Sequence, residues 1–213
     1  MDFQLQNYGE CGVLLNRLDE TVQMSLVDLL ETAPPEGFAE YVLGYENLLI
    51  LFEDSRKTSD LRAWLVERLE SEGVVPPSGR LIEVPTRYNG ADLKTIGEQV
   101  QLSVDEVVAL HSGAEYRVRM LGFSPGFPYL DGLDSRLHLE RRASPRNRIA
   151  PGSVAIGGSH AGIYSVASPG GWHLLGETVM EIFRPDRARG SSPDPDAVFA
   201  LRLGDRVKFK RVD

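Results

Sequence analysis

Cysteine, tryptophan, methionine and histidine are scarce: one, two, four and four residues among 213. Cys11 has no second thiol in the sequence to pair with, which excludes an internal disulfide framework and fits a reducing cytoplasm. No apolar run approaches the ~20 residues of a membrane-spanning helix. The opening residues MDFQLQNYGE have neither a basic n-region nor an apolar h-region, so no secretory signal is expected. Basic charge is also short. The net charge is −8, and residues 1–87 carry 16 acidic against 7 basic side chains. The remaining residues are close to balanced, with 15 acids and 16 bases. Nucleic-acid phosphates call for a basic surface, so that class of partner is excluded. The phosphate-loop pattern GxxxxGK[ST], HExxH and CxxC are all missing, and Ser124 sits in GFSPG rather than GxSxG. His111, His138, His160 and His173 are too scattered along the chain to indicate a metal site.

What is present divides into two halves. In the first, Gln4–Tyr8 and Gly12–Leu15 read as a strand pair about a turn. Thr21–Leu30 carries a helical apolar stripe that Asp19 or Thr21 can cap and that Pro34 and Pro35 end. Phe38–Leu43 and Asn47–Phe52 read as strands, Thr58–Leu69 as a helix with Thr58 or Ser59 as its cap, and Arg80–Pro85 as a last strand. This order, β-β-α-β-β-α-β, predicts a ferredoxin-like α/β sandwich over residues 1–87. Glu53 and Asp54 read as a solvated strand end and Cys11 as a small buried side chain.

The joint PTRYNG, Pro85–Gly90, opens a second domain over residues 88–213. Two helices are expected there, Ala91–Val100 and Ser103–His111, the second with a capping box between Ser103 and Glu106. His111 in a last turn suits the helix dipole. The rest is a run of turn signals. It holds Pro125, Pro128, Pro145, Pro151 and Pro169, with glycine pairs at 157–158 and 170–171. Short strands are expected at Arg117–Leu121, Ser153–Ile156, Gly162–Val166 and Trp172–Leu175. A polar stretch over 184–197 reads as a long mobile loop, and Val198–Leu203 with Arg206–Phe209 as a closing hairpin.

Chemistry concentrates in this half. Arg136, Arg141, Arg142, Arg146 and Arg148 crowd into thirteen residues. Arg136 and Arg148 read as a solvated basic face. Arg142 and Arg146 read either so or as an anion site, since a guanidinium fork matches carboxylate or phosphate oxygens. Gly157, Gly158, Gly170 and Gly171 allow close approach to backbone amides. Phe127, Pro128, Tyr129, Tyr164 and Trp172 are either core packing or walls of a pocket, and His160 adds a polar contact. These twelve positions form the candidate substrate site.

In order, GFSPGFPYL, RRASPR, APGSVAIGG, GIY and SPGGWHLLG, flanked by YGECGVLL and LGDRVKF, resemble the KipI family, also called allophanate hydrolase subunit 1. The family includes the B-type component of bacterial 5-oxoprolinase. The resemblance implies a cyclophilin-like β barrel for the second domain. It implies a non-autonomous part of an enzyme that opens 5-oxoproline to glutamate with ATP, working with a homologous C-type and an A-type subunit. One branch implies instead a protein that inhibits a sensor histidine kinase. A further alternative is a carboxyltransferase half acting on urea-like substrates. The sequence departs from the family pattern at Ser159-His160-Ala161-Gly162, where Gln-Thr-Gly is frequent, and at Ser165, where proline is usual.

Overall fold

The Asp19 side chain accepts a hydrogen bond from the Val22 amide at 2.9 Å and so starts the first helix, α1 (Glu20–Thr32). The computed structural model in which this is seen describes residues 3–54, 61–71, 79–189 and 194–213. The chain divides into two compact units, Met1–Ser78 and Gly79–Asp213.

In the first unit, β1 (Gln4–Tyr8), β2 (Gly12–Asn16), β3 (Phe38–Leu43) and β4 (Leu48–Phe52) form an antiparallel sheet in the order β1-β2-β4-β3. Alternation in β2 and β4 buries Val13, Leu15, Leu48, Ile50 and Phe52. Leu26 and Leu30 of α1 and Leu61 and Leu65 of α2 (Leu61–Ser71) are buried as well. Each fully buried leucine contributes roughly 1.5–3 kcal/mol. Gln23, buried inside α1, donates through Nε2 to the carbonyls of Gly44 and Asn47 and pins the β3–β4 turn. Val66 of α2 is 47% exposed. The proposed caps Thr58 and Ser59 lie outside the described residues.

The ferredoxin-like arrangement requires the strand after α2 to return to this sheet. Instead β5 (Leu81–Thr86) pairs in parallel with β13 (Arg206–Arg211) in the second unit. The buried Asp205 carboxylate holds it there, accepting from the Arg80 amide at 3.0 Å and from Arg80 Nε and Nη2 at 3.1 and 2.6 Å. The expected hairpin of Val198–Leu203 with Arg206–Phe209 is absent for the same reason. The partners of β13 are β5 and β6 (Tyr116–Leu121), and Val198 ends a short helix, α5 (Pro195–Val198). The stretch 184–197, expected as a loop, is tied down where it is described. There the Arg184 amide bonds the Val198 carbonyl at 2.8 Å, and the flanking Phe183 and Phe199 rings stack at 5.4 Å.

The second unit is a mixed sheet of seven strands. Besides β5, β6 and β13 it contains β7 (Pro128–Asp131), β9 (Ser153–Gly157), β10 (His160–Ile163) and β12 (His173–Glu177). The order is β12-β9-β10-β7-β6-β13-β5, and the two edges meet. Arg87 and Glu177 exchange both backbone hydrogen bonds at 2.9 Å, and the Gly90 amide donates to Leu175 at 3.0 Å. The result is a nearly closed barrel. Its interior holds Val84, Tyr116, Val118, Leu130, Val154, Ile156, Ala161, Ile163, Val207 and Phe209. Outside the seven strands, β8 (Arg146–Ile149) and β11 (Ser168–Gly170) form a separate two-stranded ribbon. The helices α3 (Leu93–Val100) and α4 (Val104–Gly113) contribute Leu93, Ile96, Val107 and Val108 to the barrel core. The capping box between Ser103 and Glu106 is present.

His111 is not a dipole partner. It is wholly buried, 4.4 Å from the Phe209 ring, with Nδ1 at 2.7 Å from the Tyr88 hydroxyl. Burial pushes its pKa down to about 3. A depressed histidine pKa means that only the unfolded chain takes up the proton as pH falls below about 6.5, so stability is lost in that direction. Between pH 7 and pH 5 the wild type should lose about 2 kcal/mol relative to His111→Gln, read from urea melts of both at each pH. The barrel seam is a second test. A Cβ at Gly90 would strike the Leu174 carbonyl, and one at Gly176 the Arg87 carbonyl. Gly90→Ala should cost about 1–3 kcal/mol of unfolding free energy, seen as a lowered midpoint in urea.

Candidate functional site

The sheet register sorts this region into two faces. Leu130, Ala161 and Ile156 stand opposite one another toward the barrel interior. Tyr129, Gly162, Ala155 and Leu174 form the neighbouring row and point outward. On that outer face Phe127, Tyr164, Trp172, Ile149 and Ala155 make a second apolar cluster, with Tyr129 and Leu174 packed against it. The rings meet edge to face. Phe127 lies 5.1 Å from Tyr129, 5.3 Å from Tyr164 and 5.4 Å from Trp172. Pro128 begins β7, where its missing N–H costs no ladder bond. FSPGFPYL is thus part turn and part strand.

Two of the candidate glycines are occupied by these rings. A Cβ at Gly157 would lie 2.8 Å from the Trp172 indole, and one at Gly170 would collide with the Tyr164 hydroxyl. Space at these positions goes to side chains of the protein itself. Gly158 has φ of +63°, nothing above it, and donates its amide to Leu139 at 2.7 Å. The Gly171 carbonyl accepts the Arg142 amide at 2.7 Å.

The two motif arginines turn inward to Asp92, a residue that no sequence motif singles out. Arg142 Nη1 donates to Asp92 Oδ1 at 2.9 Å. Arg146 is bidentate, with Nη1 on Oδ2 at 2.9 Å and Nη2 on Oδ1 at 2.7 Å. The Leu174 amide adds a fourth bond to Oδ2 at 2.8 Å. Burial opposes charge on Asp92, but the Arg146 hydrogen bonds, the Leu174 amide and both guanidinium charges hold its pKa below the usual carboxylate value. Asp92 stands at the start of α3, some 50 residues from its partners, and its only local signal is the position just before a helix.

Polar and exposed groups remain along the outer face. The Arg141 guanidinium lies 5.9 Å from the Trp172 ring centroid. His160 Nδ1 is 2.8 Å from Asp131 Oδ1, and its ring meets Tyr129 edge-on at 6.2 Å. At the other end Phe123 is 62% exposed and has φ of +66°, a strained conformation for an aromatic residue. It borders a groove of about 500 Å³ lined by Leu121–Gly126 and Phe199. Contacts from Phe123 through Phe127 and Tyr129 to His160 make this one continuous band. Arg136 pairs with Asp134, and Arg148 is exposed, matching their reading as a solvated face. His138 and His173 bond the carbonyls of Leu133 and Glu140.

The clamp on Asp92 sets a stability test. Arg146→Lys keeps the charge but loses the fork, and should cost about 1.5–3 kcal/mol in urea unfolding at pH 7. Because the folded pKa of Asp92 is lowered, the cost is present above the unfolded carboxylate pKa. It should shrink as pH falls through the acid range. Equal stability of Arg146→Lys and wild type at pH 7 would show that the clamp contributes nothing.

Residues 4–192 match the family model for the carboxyltransferase domain, subdomain C and D. The chain is 42% identical over 178 residues to the B-type component of 5-oxoprolinase from Escherichia coli O157:H7, covering 80% of this chain and 76% of that protein. It is 32% identical over 236 residues to the protein of the same name from Bacillus subtilis (strain 168), covering 99% and 93%. The solved structure of TTHA0988 superposes with a TM-score of 0.79 at 33% identity. That match covers 99% of this chain and only 40% of TTHA0988, so the chain spans well under half of that protein. Its five ordered Gly/Pro motifs, its barrel and these matches agree: the chain belongs to the family of the carboxyltransferase domain, subdomain C and D.

Proposed function

We propose that this chain is the B-type, non-autonomous component of an ATP-dependent, cytoplasmic 5-oxoprolinase that works with A-type and C-type subunits. The observation that carries this reading is the match, over 80–99% of the chain, to proteins named as the B-type component of 5-oxoprolinase. Among the described residues no helix is long and apolar enough to cross a membrane. The substrate is a small carboxylate with a cyclic amide, and the outer face of the barrel suits such a ligand. Tyr129 and Trp172 supply aromatic edges, Arg141 a cation, and His160 with Asp131 a polar pair. Phe127, Pro128, Tyr164, Gly157, Gly158, Gly170 and Gly171 build the floor beneath them. Arg142 and Arg146 act on this site through the Asp92 clamp, which fixes the start of β8 and the Leu174 amide of β12.

ATP enters as a co-substrate of the complex. The arginine forks that would suit its phosphates are engaged by Asp92, so no nucleotide step is assigned to this chain. Opening an unstrained amide needs activation, and the site's part is to hold the ring and handle its proton. The purified chain should release no glutamate from 5-oxoproline and ATP, and addition of the A- and C-type subunits should bring turnover. Turnover by this chain alone, or full turnover by the partners without it, would refute the assignment.

A further inference from the structure

Resting on that assignment, we propose that His160 is the proton-transfer residue of the site and that Asp131 positions it. The two lie on adjacent strands, β10 and β7, with Nδ1 and Oδ1 2.8 Å apart. An ionised carboxylate only accepts, so the neutral imidazole carries its proton on Nδ1. Nε2 then holds the lone pair, turned toward Ser159 Oγ at 3.4 Å. The side chains of His160 and Asp131 are 20% and 30% exposed, so the pair is partly open to solvent while packing limits its motion. The Tyr129 ring stands edge-on beside the imidazole. The other histidines are placed otherwise. His111 and His173 are buried, and His138 is bonded through Nε2 to the Leu133 carbonyl.

A carboxylate that fixes the tautomer of a histidine and leaves its far nitrogen as acceptor is the arrangement for general base work. For a cyclic amide the balance closes on one proton. Water oxygen bonds to the amide carbon while Nε2 takes a water proton. The ring C–N bond then breaks, and the imidazolium returns that proton to the departing nitrogen. Asp131 stabilises the imidazolium in between. A glutamine in place of His160 can hydrogen-bond but cannot carry the proton.

The test uses the full chain, alone and reconstituted with its partner subunits. In the complex, His160→Gln should lower kcat by about 10²–10⁴-fold with KM within about threefold. His160→Ala should regain turnover with added imidazole, and Asp131→Asn should lower kcat without moving KM. On the chain alone, diethyl pyrocarbonate with peptide mapping should modify His160 readily. Asp131→Asn should change that rate several-fold, leaving His138 as before. Unchanged kcat in His160→Gln overturns the proposal. So does a loss in His160→Ala that imidazole does not restore, since that marks a packing role. If the wild-type complex shows no 5-oxoproline turnover, the functional assignment fails by itself. The pair is then judged on modification alone: a His160 rate indifferent to Asp131→Asn overturns it, and a several-fold change supports it.

Discussion

The outer face of the barrel depends on one buried carboxylate. Asp92 accepts three guanidinium hydrogen bonds and one amide bond, and so joins the start of α3, β12 and the segment leading into β8. Taking a carboxylate out of water costs several kcal/mol, and only dense charge-assisted bonding offsets that. Two arginines on one carboxylate leave a positive balance, and their hydrogen bonds and charges favour the ionised form of Asp92. Loss of either arginine would leave the other still bonded to Asp92.

Glycine and aromatic residues form the second constraint, and they work as pairs. Trp172 can lie against β9 only because Gly157 has no side chain, and Tyr164 reaches past Gly170 for the same reason. Gly162 likewise stands 2.9 Å below Phe127, measured to where its Cβ would be. The repeated glycines of APGSVAIGG and SPGGWHLLG are thus largely packing devices on the outer surface of a sheet. What they support is a rigid apolar floor, on which Tyr129, Arg141 and His160 are presented at its margin. Closure of the barrel uses the same economy, with Gly90 and Gly176 letting the first and last strands touch.

The elements are largely legible along the chain, because periodicity and caps are local. The apolar stripe of α1 with Asp19 before it, and the Ser103–Glu106 box, contain all the information their helices require. Strand β7 is hidden because Pro128 reads as a breaker unless its place as the first residue of the strand is known. The ribbon of β8 and β11 is hidden because strands of four and three residues carry no usable alternation.

Sequence by itself determined which residues are apolar, which turns need glycine or proline, and which ordered motifs mark the family. It also grouped Phe127, Tyr129, Tyr164 and Trp172 as candidates for core packing or a pocket wall, since their motifs crowd one stretch. Tertiary structure decided what those residues touch. It gave β5 to the barrel, because Asp205, 125 residues from Arg80, is the carboxylate that captures the start of that strand. It turned Arg142 and Arg146 away from solvent, because Asp92 lies where only folding brings it. It set Asp131 beside His160 through strand pairing across 29 residues. Ion pairs of this kind have no period and no local spacing, and their partners are chosen by strand order, which a linear pattern of hydrophobicity does not encode.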